Sequence, residues 1–196
     1  MARNNFLPRR KVFAVSLAVP GIMIAASTPS FGAPTTNTPL HIMKPAPLPR
    51  FNFTDAQGQK ISLAHFHGKF VLLNIWASWY VPCRKDMASL DRLQAKLGGP
   101  RFQIVPVSID TGGLAPVRNF YARNGIRHLG IYLDQSGSAM TAFNLQDIPA
   151  AFLINPQGKL IGIKAGGAAW NSPAMIAFLS QTMSANHSVD GKGAGR

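Results

Sequence analysis

The chain has 196 residues, 46% of them hydrophobic, and carries 20 Lys and Arg against 7 acidic residues for a formal net charge of +13. This length and composition fit one globular domain with a sizeable core and exclude wholesale disorder. The basic residues are scattered and form no dense run, which argues against a nucleic-acid-binding protein. A single cysteine, Cys83, excludes an internal disulfide.

The first 32 residues are predicted to be an export leader, either a signal peptide or an uncleaved membrane anchor. A basic start ends in Arg9-Arg10-Lys11 and precedes an apolar stretch from Val12 to Ala26, which is short for a membrane span. Small residues at Ser30 and Gly32 fit cleavage by signal peptidase before Ala33, and the paired arginines also fit a twin-arginine signal. We therefore expect an exported, periplasmic protein, released or held at the membrane by this segment.

The mature chain is predicted to begin with a linker and a hairpin. Residues 33–50 are rich in proline and are expected to form an extended linker to a domain over residues 51–184. An alternating strand from Phe51 to Thr54, a turn and a second strand from Lys60 to Leu63 predict a β-hairpin. His65 and His67 follow two residues apart, but a zinc site needs three or four protein ligands, so we predict no metal.

A buried strand and the helix that follows it form the most informative stretch. The continuous apolar run from Val71 to Trp76 predicts a strand that is buried on both faces. After a short turn, a helix is predicted from Pro82 to about Leu97, with an apolar stripe at Met87, Leu90, Leu93 and Leu97. Cys83 lies in the first turn of this helix, where the free backbone N–H groups favour a negative charge and hence an ionised thiol.

The remaining elements alternate between strands and helices and end in a tail. They are a strand at Phe102 to Ile109, a helix at Leu114 to Asn124, a strand at Ile131 to Asp134, a helix at Ser138 to Phe143, a strand opened by Pro149 that runs to Ile154, a strand at Leu160 to Lys164, and a helix from Ser172 to about Met183. Residues 185–196 are predicted to be a disordered tail. This order indicates an α/β fold with a central mixed sheet flanked by helices and an N-terminal hairpin.

The segment from Asn74 to Met87 resembles the active-site segment of the TlpA-like thiol–disulfide oxidoreductases of the thioredoxin superfamily. That family reads Asn-Phe-Trp-Ala-(Thr/Ser)-Trp-Cys-x-Pro-Cys-Arg-x-Glu-Met, and the matching residues are Asn74, Trp76, Ala77, Ser78, Trp79, Pro82, Cys83, Arg84 and Met87. Pro149, which opens an apolar strand, matches the family's cis-proline loop. The resemblance covers roughly Phe51 to Met183 and implies a thioredoxin-like fold, a cis Ile148–Pro149 bond and a proline loop that lies against Tyr80 and Cys83.

Tyr80 departs from this pattern, because the family has its attacking cysteine at that position. A phenol with a pKa near 10 is no disulfide nucleophile at neutral pH, so the usual two-cysteine cycle cannot run in this chain. The resemblance implies Tyr80 and Cys83 as the catalytic positions, with no cofactor. It also implies a substrate-binding groove, formed by Trp79, Pro82, Ile148 and Pro149.

Three functions are compatible with this pattern. The first is thiol–disulfide redox work with a single cysteine, in which Cys83 forms mixed disulfides or sulfenic acid and another protein completes the cycle. The second is a non-catalytic module that binds a periplasmic redox partner or an extended peptide. The third is a one-cysteine peroxidase, since peroxiredoxins share the fold. We expect a monomer whose partners are periplasmic thiol or disulfide proteins, and the exposure of Cys83 distinguishes redox work from binding.

Overall fold

The structure is a computed structural model that describes residues 40–190, with side chains described through residue 185. The predicted leader and residues 191–196 of the predicted tail lie outside the described residues. Within residues 40–190, no helix combines the length and apolar character that crossing a bilayer requires.

Eight strands form one mixed sheet, which confirms the predicted α/β class with a central sheet flanked by helices. The strands are β1 His41–Pro47, β2 Phe53–Asp55, β3 Lys60–Ile61, β4 Phe70–Trp76, β5 Phe102–Ser108, β6 Tyr132–Leu133, β7 Ala150–Ile154 and β8 Lys159–Ala165. Their order across the sheet is β1-β8-β7-β4-β5-β6-β2-β3. The central strand, β4, is parallel to β5 on one side and antiparallel to β7 on the other.

The helices fall close to their predicted positions. A short 3-10 helix precedes β4, and a glycine with φ of +64°, Gly125, ends the second α-helix in the left-handed conformation that glycine adopts without steric cost. The α-helices are α1 Val81–Leu97, α2 Leu114–Asn124, α3 Ser138–Ala142 and α4 Pro173–Asp190, and the 3-10 helix is Leu63–Phe66.

The core lies on both faces of β4 and under α1. Every residue of β4 is buried, as its continuous apolar run predicts. On α1 the predicted stripe is confirmed, since Met87, Leu90 and Leu93 have no exposed surface. Burying an apolar side chain of this size stabilises a fold by roughly 1.5–3 kcal/mol. The stripe therefore fixes α1, and Cys83 with it, firmly against the sheet.

The predicted hairpin forms one edge of the sheet. Phe53 of β2 pairs with Ile61 of β3 in an antiparallel register, as the alternating sequence predicts. The other side of β2 pairs antiparallel with β6, where Thr54 lies opposite Leu133. The hairpin is thereby joined to the central sheet through β6.

The prediction of an extended linker is wrong for residues 41–47, which form strand β1. This strand pairs antiparallel with β8, from His41 opposite Ile163 to Pro47 opposite Lys159. Prolines lack the N–H that a strand needs in a sheet interior, but an edge strand needs partners on one side only. β1 is an edge strand, and its register shifts between Ile42 and Ala46, the stretch that contains Pro45. Its partner β8 is remote in sequence, so the local pattern gave no indication of the pairing.

The last helix begins as predicted but ends later. The side-chain oxygen of Ser172 accepts the N–H of Met175 at 3.2 Å, as an N-cap residue does. The helix continues to Asp190, which corrects the predicted end at Met183 and includes the first residues of the predicted disordered tail. No proline or glycine occurs between Met183 and Gly191, so no residue there interrupts the helix.

Candidate functional site

The turn between β4 and α1 places Tyr80 just before the helix and Cys83 in its first turn. Tyr80 is the N-cap residue, with an extended backbone, and its carbonyl accepts the N–H of Arg84 at 3.1 Å. Pro82 fits the first turn because the first N–H groups of a helix have no intrahelical partner. The sequence Tyr-Val-Pro-Cys thus produces the predicted strand–turn–helix arrangement.

Asp110, directly after β5, holds this turn in place. Its carboxylate accepts the backbone N–H of Ser78 at 2.8 Å and the Ser78 hydroxyl at 2.7 Å. The Ser108 hydroxyl donates to the same carboxylate. The Asp110 side chain is almost fully buried, where a carboxylate needs several donors to be tolerated. No role was predicted for Asp110, although its position directly after a buried strand was the available signal.

Cys83 is completely buried, and its thiol is poorly acidic. The side chain has 0% exposure, and burial raises its pKa to about 12, against a hydrogen bond to the Ala77 backbone that acts in the opposite direction. The nearby carboxylates of Asp86, Asp147 and Asp110 raise the pKa further. The expectation of an easily ionised thiol is therefore wrong, because burial and negative neighbours outweigh the helix N-terminus.

Tyr80 is bound to the proline loop through Asp147. The hydroxyl of Tyr80 donates a hydrogen bond to the Asp147 carboxylate, whose negative charge is the main reason that the pKa of Tyr80 is raised above its ordinary value. The same carboxylate accepts the N–H of Ile148 at 2.8 Å. The Ile148–Pro149 bond is cis, as expected. The proline loop therefore lies beside Tyr80, and Asp147, which the sequence analysis did not single out, joins the two.

The predicted substrate-binding residues divide into an exposed and a buried group. Trp79 is 62% exposed, and Val81, which was not among the predicted residues, is 55% exposed. Between them in the sequence, the half-buried ring of Tyr80 lies 5.8 Å from that of Trp79. We call Trp79, Tyr80 and Val81 the exposed rim. Pro82 is also exposed, whereas Ile148 and Pro149 are buried, so their side chains offer little surface to a partner. The structure thus brings these predicted residues to one place, and their roles stay predictions.

A buried acid lies one turn further along α1. Asp86 is 6% exposed, and burial raises its pKa to about 6 even though Trp170 and the backbone of Ala168 donate hydrogen bonds to it. The charge of Lys164 on β8 lowers the pKa of Asp86, but less than burial raises it. Gly167 is needed here because a Cβ at that position would lie 2.6 Å from the Asp86 carboxylate.

Two further polar side chains are buried below the site. Asn74 lies in β4, opposite Pro106 and Ala151, and its amide has no hydrogen-bond partner among the described residues. Trp76 at the end of the strand also has an unpartnered N–H within the described part of the chain. An amide does not titrate, so Asn74 supplies no proton to Cys83. Among the side chains described, those of residues 40–185, no group of three is placed to bind a metal ion.

Comparison with known sequences connects this arrangement to thiol chemistry. The sequence model of the AhpC/TSA family matches residues 45–163. The thiol-disulfide oxidoreductase ResA of Bacillus thuringiensis subsp. konkukian is 33% identical over 113 residues, which are 58% of this chain and 64% of that protein. ResA of Bacillus subtilis is 30% identical over 118 residues, 60% of this chain and 65% of the relative. The chain therefore spans less than two thirds of the length of these curated relatives.

Solved structures give the same relationship. The fold is similar to that of a thiol:disulfide interchange protein DsbE from Chlorobium tepidum, with 27% identity and a TM-score of 0.60 over 74% of this chain and 98% of that one. It is also similar to StoA from Bacillus subtilis, with 25% identity and a TM-score of 0.53 over 62% of this chain and 92% of the other. The structure therefore has the thioredoxin-like fold that the sequence predicts.

Proposed function

This chain belongs to the AhpC/TSA family and, within the thioredoxin superfamily, to the TlpA-like thiol–disulfide oxidoreductases. From this membership we propose that it is an exported binding module of that class. It binds an extended segment of a thiol or disulfide protein at the exposed rim and does not carry out disulfide exchange by itself. The observation that carries this proposal is the complete burial of Cys83, the only cysteine of the sequence.

Disulfide exchange requires a thiolate that can reach a substrate sulfur. With its pKa raised to about 12, the Cys83 thiol is almost entirely protonated at pH 7. Tyr80 occupies the position from which the family's nucleophile attacks, and its hydroxyl is hydrogen-bonded to Asp147. The chain thus retains the scaffold around the reactive position but presents a phenol there.

Binding at the rim is supported by its exposed apolar surface. Only three large hydrophobic side chains are well exposed within the described part of the chain, and two of them, Trp79 and Val81, flank Tyr80. Tryptophan and tyrosine are enriched among the residues that dominate binding energy at protein interfaces, because they offer a large, rigid contact area. The proline loop lies beside Tyr80, and its exposed residue Asp147 adds a polar group to this surface.

The burial of Cys83 also weighs against the two redox alternatives. A one-cysteine peroxidase needs a thiolate at the peroxide, yet the carboxylates around Cys83 favour its protonated form. A one-cysteine exchange cycle needs a substrate sulfur to reach a side chain with no exposed surface. Both alternatives require an opening of the first turn of α1, which rapid alkylation of the native protein would reveal.

Thiol accessibility and partner binding test the proposal together. We expect iodoacetamide at pH 7.5 to label Cys83 at least 100-fold more slowly in the native protein than in the denatured protein. Carboxymethylated ribonuclease A, an unfolded chain without free thiols, is expected to bind in a saturable manner and to change the fluorescence of Trp79. Rapid native labelling would support single-cysteine redox work instead.

Variants at the rim and on an edge strand of the sheet locate the binding surface. Trp79→Ala and Tyr80→Ala are each expected to weaken binding of the unfolded chain at least fivefold, as measured by calorimetry. Ile42→Ala is the matched control, because Ile42 is the other large exposed hydrophobic residue and lies on edge strand β1. Equal weakening by all three substitutions would contradict a specific site at the rim.

A further inference from the structure

A second concave site lies at the opposite end of the sheet from the rim. A cavity of about 530 Å³ opens between the end of α1, the start of β4 and β5, the β7–β8 turn and the second half of α4. Because β4 extends for seven residues between this cavity and the turn that carries Tyr80, the two sites are roughly 20 Å apart. The cavity is therefore separate from the family's reactive position.

The cavity combines an apolar floor with a basic mouth. Phe70, Leu97, Phe102 and Met183 supply apolar walls, and Lys96 and Arg101 are exposed at the opening. No acidic residue lines it among the described residues. Its volume falls within the range of small-molecule sites, which are mostly apolar with a few polar groups that fix the orientation of the ligand.

The charges at the mouth are available to a ligand. Within residues 40–185, neither Lys96 nor Arg101 forms an ion pair with an acidic side chain. The backbone at the floor is already occupied, since the N–H of Gly68 donates to the Pro156 carbonyl at 3.0 Å and the N–H of Phe70 donates to the Arg101 carbonyl at 2.9 Å. The strongest polar recognition available is therefore by the two cations, which bind a carboxylate well.

We propose that this cavity binds a small anionic amphiphile, a free medium-chain carboxylate, with its carboxylate between Lys96 and Arg101. Its hydrocarbon chain lies on Leu97 and Met183, the half-buried apolar residues of the lining, and leaves water, which favours binding in proportion to the apolar surface that is buried. This site is distinct from the peptide-binding rim and does not depend on the function proposed for it.

Binding of octanoate to the full chain tests the proposal. We expect saturable one-to-one binding by calorimetry at pH 7.5. In spectra of the methionine methyl groups, the Met183 signal is expected to shift on binding, whereas that of Met140, on α3 and outside the cavity lining, is expected to stay in place. Octyltrimethylammonium, which has the same chain length and the opposite charge, is expected to bind at least tenfold more weakly.

Charge-neutral variants separate a specific site from general attraction to a basic protein. The double variant K96Q/R101Q is expected to weaken octanoate binding at least tenfold. The control K60Q/R118Q removes the same charge from exposed residues outside the cavity and is expected to change the affinity less than twofold. The proposal is overturned by the absence of saturable binding, by equal weakening in the two double variants, by equal affinity for the cationic probe, or by an unmoved Met183 signal.

Discussion

At the scale of single residues, the site is governed by the pair at positions 80 and 83. Tyr80 replaces the family's nucleophile and is hydrogen-bonded to Asp147, while Cys83 keeps the second cysteine's position and is fully buried. Burial at position 83 protects the sulfur from premature reaction. Because no cysteine is present at position 80, no mixed disulfide forms there for Cys83 to resolve.

Restoring the missing nucleophile is expected to restore activity. Wild-type protein should reduce insulin with dithiothreitol little or not at all, and Tyr80→Cys should raise the rate at least tenfold, because a thiol at the N-cap of α1 is exposed and benefits from the helix N-terminus. Tyr80→Ser, which opens the same space without a thiol, is the control and should stay inactive. If Tyr80→Cys folds but does not reduce insulin, the groove has diverged beyond its nucleophile.

Asp86 is expected to make stability depend on pH. Its pKa is raised from an ordinary value near 4 to about 6 in the folded protein, so the folded state binds the proton more tightly than the unfolded state. The contribution of Asp86 to the stability of the folded state is therefore present below pH 4 and is lost as the pH rises through 6. Relative to wild type, Asp86→Asn should gain roughly 2 kcal/mol of unfolding free energy between pH 4 and pH 7.5, as measured by chemical denaturation.

Asp91 provides a control, because its contribution to stability is expected to change with pH in the opposite direction to that of Asp86. Its pKa is lowered because the side chain and backbone of His128 and the N–H groups of Arg127 and Leu129 donate to its carboxylate, against a burial effect in the other direction. Its contribution to stability is present above its unfolded pKa and is lost as the pH falls. Asp91→Asn should therefore destabilise the protein most at neutral pH and least in acid. The same pH trend in both variants would contradict the assignment.

At the scale of elements, the β4–α1 unit depends on a clamp from the neighbouring strand. The turn at Ser78 is held by Asp110 at the end of β5, so the position of Tyr80 depends on an interaction between two strands as well as on its own turn. A buried carboxylate with several donors is a specific constraint, because leaving any donor unpaired costs free energy.

Loosening this clamp is expected to uncover Cys83. Asp110→Asn should lower the unfolding free energy by about 1–3 kcal/mol, since an amide accepts fewer of these hydrogen bonds. It should also raise the native alkylation rate of Cys83 severalfold. Asp134→Asn is the control, because Asp134 accepts comparable hydrogen bonds at the start of α3, and it should lower stability without raising that rate. Equal alkylation rates in the two variants would show that the clamp does not protect the thiol.

At the scale of the whole molecule, export stays a prediction from the basic and apolar first 32 residues. We expect protein from its own host to begin near Ala33, or to be found intact in the membrane fraction, because the apolar stretch fits a signal peptide better than a full membrane span. Mass spectrometry of the fractionated protein measures the N-terminus directly. A full-length protein in the cytoplasm would contradict the leader.

Much of the fold was determined by the sequence alone, because its signals are local. The apolar run at β4 and the stripe on α1 each report burial through the period of their own element, and both were predicted within a residue. The N-cap at Ser172 and the end of a helix at Gly125 could also be predicted from the sequence, because these residues act on their immediate neighbours. The family pattern added the cis-proline loop, which local periodicity does not contain.

Tertiary structure alone decided the features that depend on distant partners. Residues 41–47 became a strand because β8 offers them an edge, and the proline-rich sequence carries no sign of that partner. The acidity of Cys83 was decided by burial, by Asp86 on the same helix, and by Asp110 and Asp147, which two other segments bring to it. The position of Cys83 at a helix N-terminus predicted an ionised thiol from local geometry. Desolvation depends on everything packed around the sulfur, and here it outweighs the local effect.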